Sequence, residues 1–252
     1  MNLIDENLKL KLIKGSPLLL KKTNAFFQHK TVGEIIDFGY TDFLKIFHFF
    51  TLSKDDLKDV IDFPGMTTFF YFLLLLNNNE NSDFSQIIQN GFDFFIEASN
   101  LRPDLENRVL IFDYKEIQNV ELTEEGFEEL VNYINIVYNG SLFIQKDEEQ
   151  DLSEAERRFK EKFDRLRRER EAAKSKKGGN TNFSDMIGGY IVRNSNMTLK
   201  DVMELPYYTF FFLLKKLKNY DDYDIQLKAM LAGADIKEEL HHWISNTDDE
   251  EE

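Results

Sequence analysis

The feature that most constrains the fold is a long charged stretch between two aromatic-rich parts of the chain. Residues 151–177 alternate acidic and basic side chains at helical spacing, and Ser153 begins a capping-box sequence. A glycine pair, Gly178-Gly179, ends the stretch. This pattern predicts an exposed, charged linker helix over residues 148–180 that separates two modules.

Outside the linker, the chain is strongly acidic. Its formal net charge is −15, although residues 151–177 contain more bases than acids. An acidic surface repels phosphate backbones, which argues against general nucleic-acid binding outside the linker. The chain contains no cysteine, so the sequence excludes disulfides and thiolate metal sites.

The N-terminal module, residues 1–147, is predicted to be α+β and mostly helical. Alternation of Leu and Lys over residues 8–12, with extended stretches at 18–20 and 25–28, predicts a small hairpin. Gly91 lies on the apolar stripe of one predicted helix, which indicates close packing there. Capping residues and apolar periodicity predict helices at 31–38, 40–50, 53–61, 84–96 and 123–137, and strands at 109–112 and 117–122.

The C-terminal module, residues 181–246, is predicted to be a bundle of short helices, followed by a disordered acidic tail at 247–252. The predicted fold class is therefore mainly α, with an N-terminal α+β module that carries small hairpins. The four helices of the bundle are predicted to begin near Thr198, Pro206, Asp221 and Ile236.

The sequence contains no pattern that indicates catalysis. It has no phosphate-cradling glycine motif and no nucleophile elbow. Glu238 and His242 have the spacing of a two-ligand metal site, but a surface or capping role near a helix end explains them more simply. We therefore expect a non-enzymatic protein with no cofactor and no metal site.

Two features bear on location. The longest apolar block, residues 69–76, is much shorter than the ~20 residues that span a bilayer, so we expect it to be core or interface. The N-terminus lacks the basic and apolar regions of a secretory signal. We therefore expect the chain to stay in the cytosol where it is made, without a membrane partner.

The residues predicted to bind a partner are aromatic. Residues 207–214 are apolar on every side of a helix, and a bundle of this size has little capacity to bury all of them. A fully buried central helix is the competing interpretation. The predicted partner-binding residues are Tyr207, Tyr208, Phe211, Phe212 and Trp243.

Two parts of the sequence resemble the tail assembly chaperones of tailed phages and prophages. Residues 220–234, followed by Ile236 and residues 242–244, are similar to the ending of these proteins. Residues 12–17 and 31–40 are similar to their N-terminal part. The resemblance implies a protein of the host cytoplasm that binds the tape measure protein and other tail proteins. It would keep the tape measure protein soluble until tail-tube subunits polymerise around it.

Other interpretations remain open. One alternative is a structural tail or baseplate-associated protein that stays in the virion. Another is an RNA-binding regulator that uses the basic linker, which the acidic flanks disfavour. Assembly of the chain into a homo-oligomer is also left open by the sequence.

Overall fold

The computed structural model describes residues 6–52, 67–77, 82–138 and 182–232. These ranges are mainly helical, with two small antiparallel sheets, which confirms the predicted fold class. None of their helices is both long and apolar enough to cross a membrane. The predicted boundaries at 147/148, 180/181 and 246/247 lie outside the described residues and stay predictions.

Helices and short strands form two compact units, one from Met1–Phe143 with Met203–Glu252 and one from Ile144–Val202. The described helices are α1 (Glu6–Lys14), α2 (Val32–Phe38), α3 (Tyr40–Phe50), α4 (Thr68–Asn77), α5 (Ser82–Ile96), α6 (Glu124–Tyr138), α7 (Phe183–Arg193), α8 (Leu199–Glu204) and α9 (Tyr207–Leu231). The described strands are β1 (Leu18–Leu20), β2 (Ala25–Phe27), β3 (Ala98–Asp104), β4 (Val109–Tyr114) and β5 (Ile117–Leu122).

The first sheet is the hairpin of β1 and β2, as predicted. Leu18 pairs with Phe27, and both side chains are buried. The predicted extension of residues 8–12 is wrong, because they lie in α1. Leu8 and Leu12 are four residues apart and share one helix face, so a short Leu-Lys alternation fits a helix as well as a strand.

The second sheet has the strand order β3-β4-β5 and is organised around the carboxylate of Asp113. This carboxylate accepts hydrogen bonds from Asn100 Nδ2 (2.9 Å), the Asn119 backbone N–H (3.1 Å) and Arg102 Nη2 (3.3 Å). These bonds, above all the one from Asn100, lower the pKa of Asp113. Register shifts occur in both strand pairs beside this residue. The Asp113 carboxylate therefore bonds to both neighbouring strands at the place where their pairing is irregular.

The core of the first unit is a cluster of phenylalanines around Phe50. The Phe50 ring is fully buried and meets Phe72, Phe92 and Phe95 edge-to-face at 5.3, 5.1 and 5.4 Å, a favoured geometry for aromatic pairs. A Cβ atom on Gly91 would overlap the Phe50 ring. The predicted close packing at Gly91 is therefore confirmed.

Two predicted helix starts are confirmed by their caps. Thr31 Oγ1 accepts the Glu34 N–H (3.1 Å), and Glu34 Oε2 accepts the Thr31 N–H (2.7 Å) at the start of α2. Asp201 Oδ2 accepts the Thr198 N–H (2.8 Å) at the start of α8. The cap predicted at Ser53 lies outside the described residues.

The C-terminal helix α9 is longer than predicted. It begins directly after Pro206, as expected, but it continues without a break through Asp221, where a new helix was predicted. That prediction is wrong because a helix interior tolerates aspartate at a cost of only about 0.7 kcal/mol or less. Asp224 also forms an i,i+4 ion pair with Lys228 (2.6 Å), which supports the continuous helix.

Candidate partner-binding surface

The start of α9 is fixed to the N-terminal part of its unit by backbone hydrogen bonds. The Tyr207 N–H donates to the Lys30 carbonyl (2.9 Å), and the Val32 N–H donates to the Leu205 carbonyl (2.9 Å). The Thr209 hydroxyl also donates to a carbonyl at the end of α1. The aromatic block of α9 is therefore built into the same unit as the N-terminal helices.

Close packing at Gly15 allows this arrangement. Gly15 has a φ of +69°, and a Cβ atom on it would lie 2.5 Å from Pro206 Cγ. Any other residue would be strained in conformation and would clash with the proline. The approach of Pro206 also gives an isolated antiparallel bridge to Thr31.

Tyr207, the first predicted partner-binding residue, is buried within the chain. Its ring centroid lies 5.7 Å from that of Phe43 and 5.5 Å from that of Tyr138. Burial is the main cause that raises the pKa of Tyr207, with smaller contributions from Tyr40 and Tyr138. These contacts fit the competing interpretation of a buried helix at this position.

The other predicted residues differ in exposure. Tyr208 is buried and stacks on Phe212 with ring centroids 6.5 Å apart. Phe211 and Phe212 are half-buried. Trp243 lies outside the described residues. Among the described aromatic residues of the predicted set, the two phenylalanines are thus the more accessible, and the partner-binding role of the whole set stays a prediction.

The second half of α9 carries an apolar stripe that was not singled out from the sequence. Tyr220 and Leu231 are 41% and 80% exposed, and Leu217 and Leu227 are half-buried. Their spacings of three, seven and four residues place them on one helix face over about 20 Å. We call these four residues the α9 stripe. The signal was present in the sequence, but the break predicted at Asp221 divided it between two helices.

A second exposed apolar pair lies on the hairpin. Leu19 and Phe26 are directly opposite each other on its outer face and are 42% and 40% exposed. The sequence predicted the strands but left their outward face undetermined, because both strands are apolar on both faces. The apolar block at residues 69–76 belongs largely to the core, since Phe69, Phe72 and Leu73 are buried in α4.

The described part of the chain contains no cluster of three His, Asp or Glu side chains suited to hold a metal ion. The possible ligand pair of Glu238 and His242 lies outside it. The polar groups that the sheet does bring together, at Asp113, bond to one another and to the backbone. The described surface of α9 combines exposed apolar side chains with exposed charged ones such as Lys218, Asp222 and Lys228.

Residues 173–248 match the sequence model of a known family, the YomV second domain. The match is to a phage-associated domain family. The matched region contains the whole of α9 and all of the C-terminal residues that resemble tail assembly chaperones. It also contains the boundary between the two compact units, at residues 202 and 203. Comparison of the chain with curated proteins and with solved structures gave no match.

Proposed function

We propose that this chain is a non-enzymatic tail assembly chaperone of a phage or prophage. It binds the tape measure protein in the host cytoplasm and keeps it soluble until the tail tube polymerises. The phage-associated match over residues 173–248 carries this proposal. It includes residues 220–234 and 242–244, which carry part of the resemblance to tail assembly chaperones. The match supports the phage association of the chain, and the chaperone role rests on the resemblance.

The surface of α9 supports a role in binding a client. A chaperone of this type must cover apolar parts of its client reversibly, and exposed apolar side chains on a folded scaffold serve that purpose. The α9 stripe offers such side chains on one face of a helix whose first turn is anchored in the core. The net charge of −15 would keep the complex in solution. The proposed partners are thus proteins, without a membrane or nucleic-acid partner.

Substitution of the α9 stripe is expected to weaken client capture while the fold stays intact. We propose the double variant Tyr220→Ser with Leu231→Ser, because both side chains are exposed and on one helix face. Exposed apolar anchors contribute about 2 kcal/mol or more at an interface, so binding should fall roughly thirty-fold. The measurement is an affinity pull-down after co-expression with the tape measure protein of the same genome.

Ile117→Ser is the matched control. Ile117 is 55% exposed on β5, so the substitution removes an exposed apolar side chain of similar size away from the stripe. The control should capture as much client as the unmodified chain, and circular dichroism should be unchanged in all variants. Full capture by the double variant would exclude the α9 stripe as the binding surface. Failure of the unmodified chain to capture the tape measure protein would contradict the proposed client.

A further inference from the structure

His29, between β2 and α2, is half-buried, and both nitrogens of its ring are buried. Neither of its ring nitrogens has a partner among the described residues. Its ring meets Phe27 edge-on, with centroids 5.7 Å apart. A neutral imidazole presents one donor and one acceptor, and an unpaired buried polar group destabilises the folded state. An apolar residue would avoid that cost, so a histidine here calls for an explanation.

The segment around His29 holds several elements together. The Gln28 N–H donates to the Phe95 carbonyl (2.8 Å). The Tyr138 hydroxyl accepts from the Lys30 N–H (3.1 Å) and donates to the Gln28 carbonyl (3.3 Å). On the other side of His29, two backbone bonds join this segment to the start of α9. We call those two bonds, Tyr207 N–H to Lys30 and Val32 N–H to Leu205, the latch.

We propose that His29 makes the latch sensitive to acid: protonation of its imidazole releases the start of α9 from residues 30–32 while the Phe50 core stays folded. This inference is independent of the proposed chaperone function. It rests on the position of His29 next to the latch and on its two unpaired ring nitrogens. His29 and the residue before α9 both lie close to Gly15. A Cβ atom on Gly15 would be 3.9 Å from His29 Cβ and 2.5 Å from Pro206 Cγ.

The charged surroundings of His29 do not stabilise its protonated form. Burial lowers the pKa of His29 to about 4, and no carboxylate contributes in the described part of the chain. The Glu34 carboxylate on α2 is engaged by the Thr31 N–H (2.7 Å). The titratable groups next to the segments that bond to residues 28–32 include Lys14 beside Gly15, Lys30 and Glu34 beside the latch, Tyr138 of α6, Glu204 next to Leu205, and Tyr207 of α9.

The direction of the pH effect follows from this lowered pKa. In the closed latch His29 stays neutral down to a pH of about 4, whereas an exposed imidazole has a pKa of 6.5. The open state therefore binds more protons as the pH falls below 6.5, and acid shifts the equilibrium toward opening. Between pH 7.5 and pH 5, the opening equilibrium should rise roughly thirty-fold.

Amide hydrogen exchange tests this proposal at single residues in the full chain. The opening equilibria of the Tyr207 and Val32 amides, corrected for intrinsic exchange rates, should rise roughly thirty-fold from pH 7.5 to pH 5. The opening equilibrium of the Phe92 amide, in the buried part of α5, should stay the same between these two pH values. His29→Leu, which cannot be protonated, should abolish the pH response of the latch amides.

Two further variants keep the test decisive. His29→Gln is a polar substitute that does not titrate, and it should also abolish the response if His29→Leu fails to fold. His48→Gln removes an exposed histidine on α3 and should leave the response unchanged. A response that persists without His29, a Phe92 amide that opens in parallel, or no response in the unmodified chain would each overturn the proposal.

Discussion

Tyr207→Ala is expected to lower the free energy of unfolding by about 3–5 kcal/mol, the range for truncation of a large buried side chain. Tyr207 is only 5% exposed and packs on Phe43 and Tyr138. Its removal leaves a cavity between α9 and two helices of the N-terminal part. Urea unfolding, followed by circular dichroism, measures the effect.

Tyr220→Ala is the control on the same helix. Tyr220 is 41% exposed, so its truncation should change the free energy of unfolding by less than about 1 kcal/mol. A small effect of Tyr207→Ala, comparable to that of the control, would mean that α9 does not belong to the core of the first unit. An independent C-terminal bundle over residues 181–246 would then be the better description.

Gly91→Ala is the second substitution with a large expected effect. The added Cβ would overlap the Phe50 ring, which is fully buried among Phe72, Phe92 and Phe95 and has no room to move aside. Overpacking of this kind costs about 3 kcal/mol and outweighs the gain of about 1 kcal/mol from the better helix propensity of alanine. Denaturant unfolding should show the loss.

Gly188→Ala is the same substitution without the clash. Gly188 lies in α7, and a Cβ there would meet nothing within 4 Å. Alanine should therefore leave the protein as stable or make it more stable, by up to about 1 kcal/mol. Equal losses at Gly91 and Gly188 would show that the effect comes from the helix backbone and not from contact with Phe50.

Local features of the fold were predictable because their causes are local. Thr31 and Glu34 satisfy each other's backbone N–H groups within one turn, so four residues of sequence contain the whole interaction. The apolar face of α6 and the strands β4 and β5 follow from periodicity in the same way. Gly91 was recognisable because a glycine on an apolar helix stripe has few explanations besides close packing.

Other features depend on distant contacts. Residues 8–12 fit both a helix and a strand by sequence. In the structure Leu10 is exposed and Leu12 is buried, which fits a helix, because residues two apart share one face of a strand. Strand β3 was not predicted, because Asn100 and Pro103 interrupt its apolar alternation. Its pairing with β4 keeps these residues in a strand. The continuity of α9 past Asp221 likewise reflects the helix as a whole and not the local preference of aspartate for helix starts.

The predicted partner-binding residues and the α9 stripe lie on the same helix, but at different places along it, and the binding role of both stays a prediction. The sequence indicated that the aromatic block of α9 has too many apolar sides for a small bundle. It did not contain the information that Tyr207 packs on Phe43, a residue far away in the chain. This contact assigns one side of the block to the core, and the exposed apolar residues of α9 lie further along the helix, at Tyr220, Ile225 and Leu231.

The most direct test of the proposed chaperone function is quantitative mass spectrometry of purified phage particles. The measurement compares finished particles with the lysate from which they were purified. An assembly chaperone should be abundant in the lysate and absent from the particles, while the tape measure protein is present in both. Recovery of this chain in the particles at a fixed number of copies per tail would contradict the proposal and identify it as a structural virion protein.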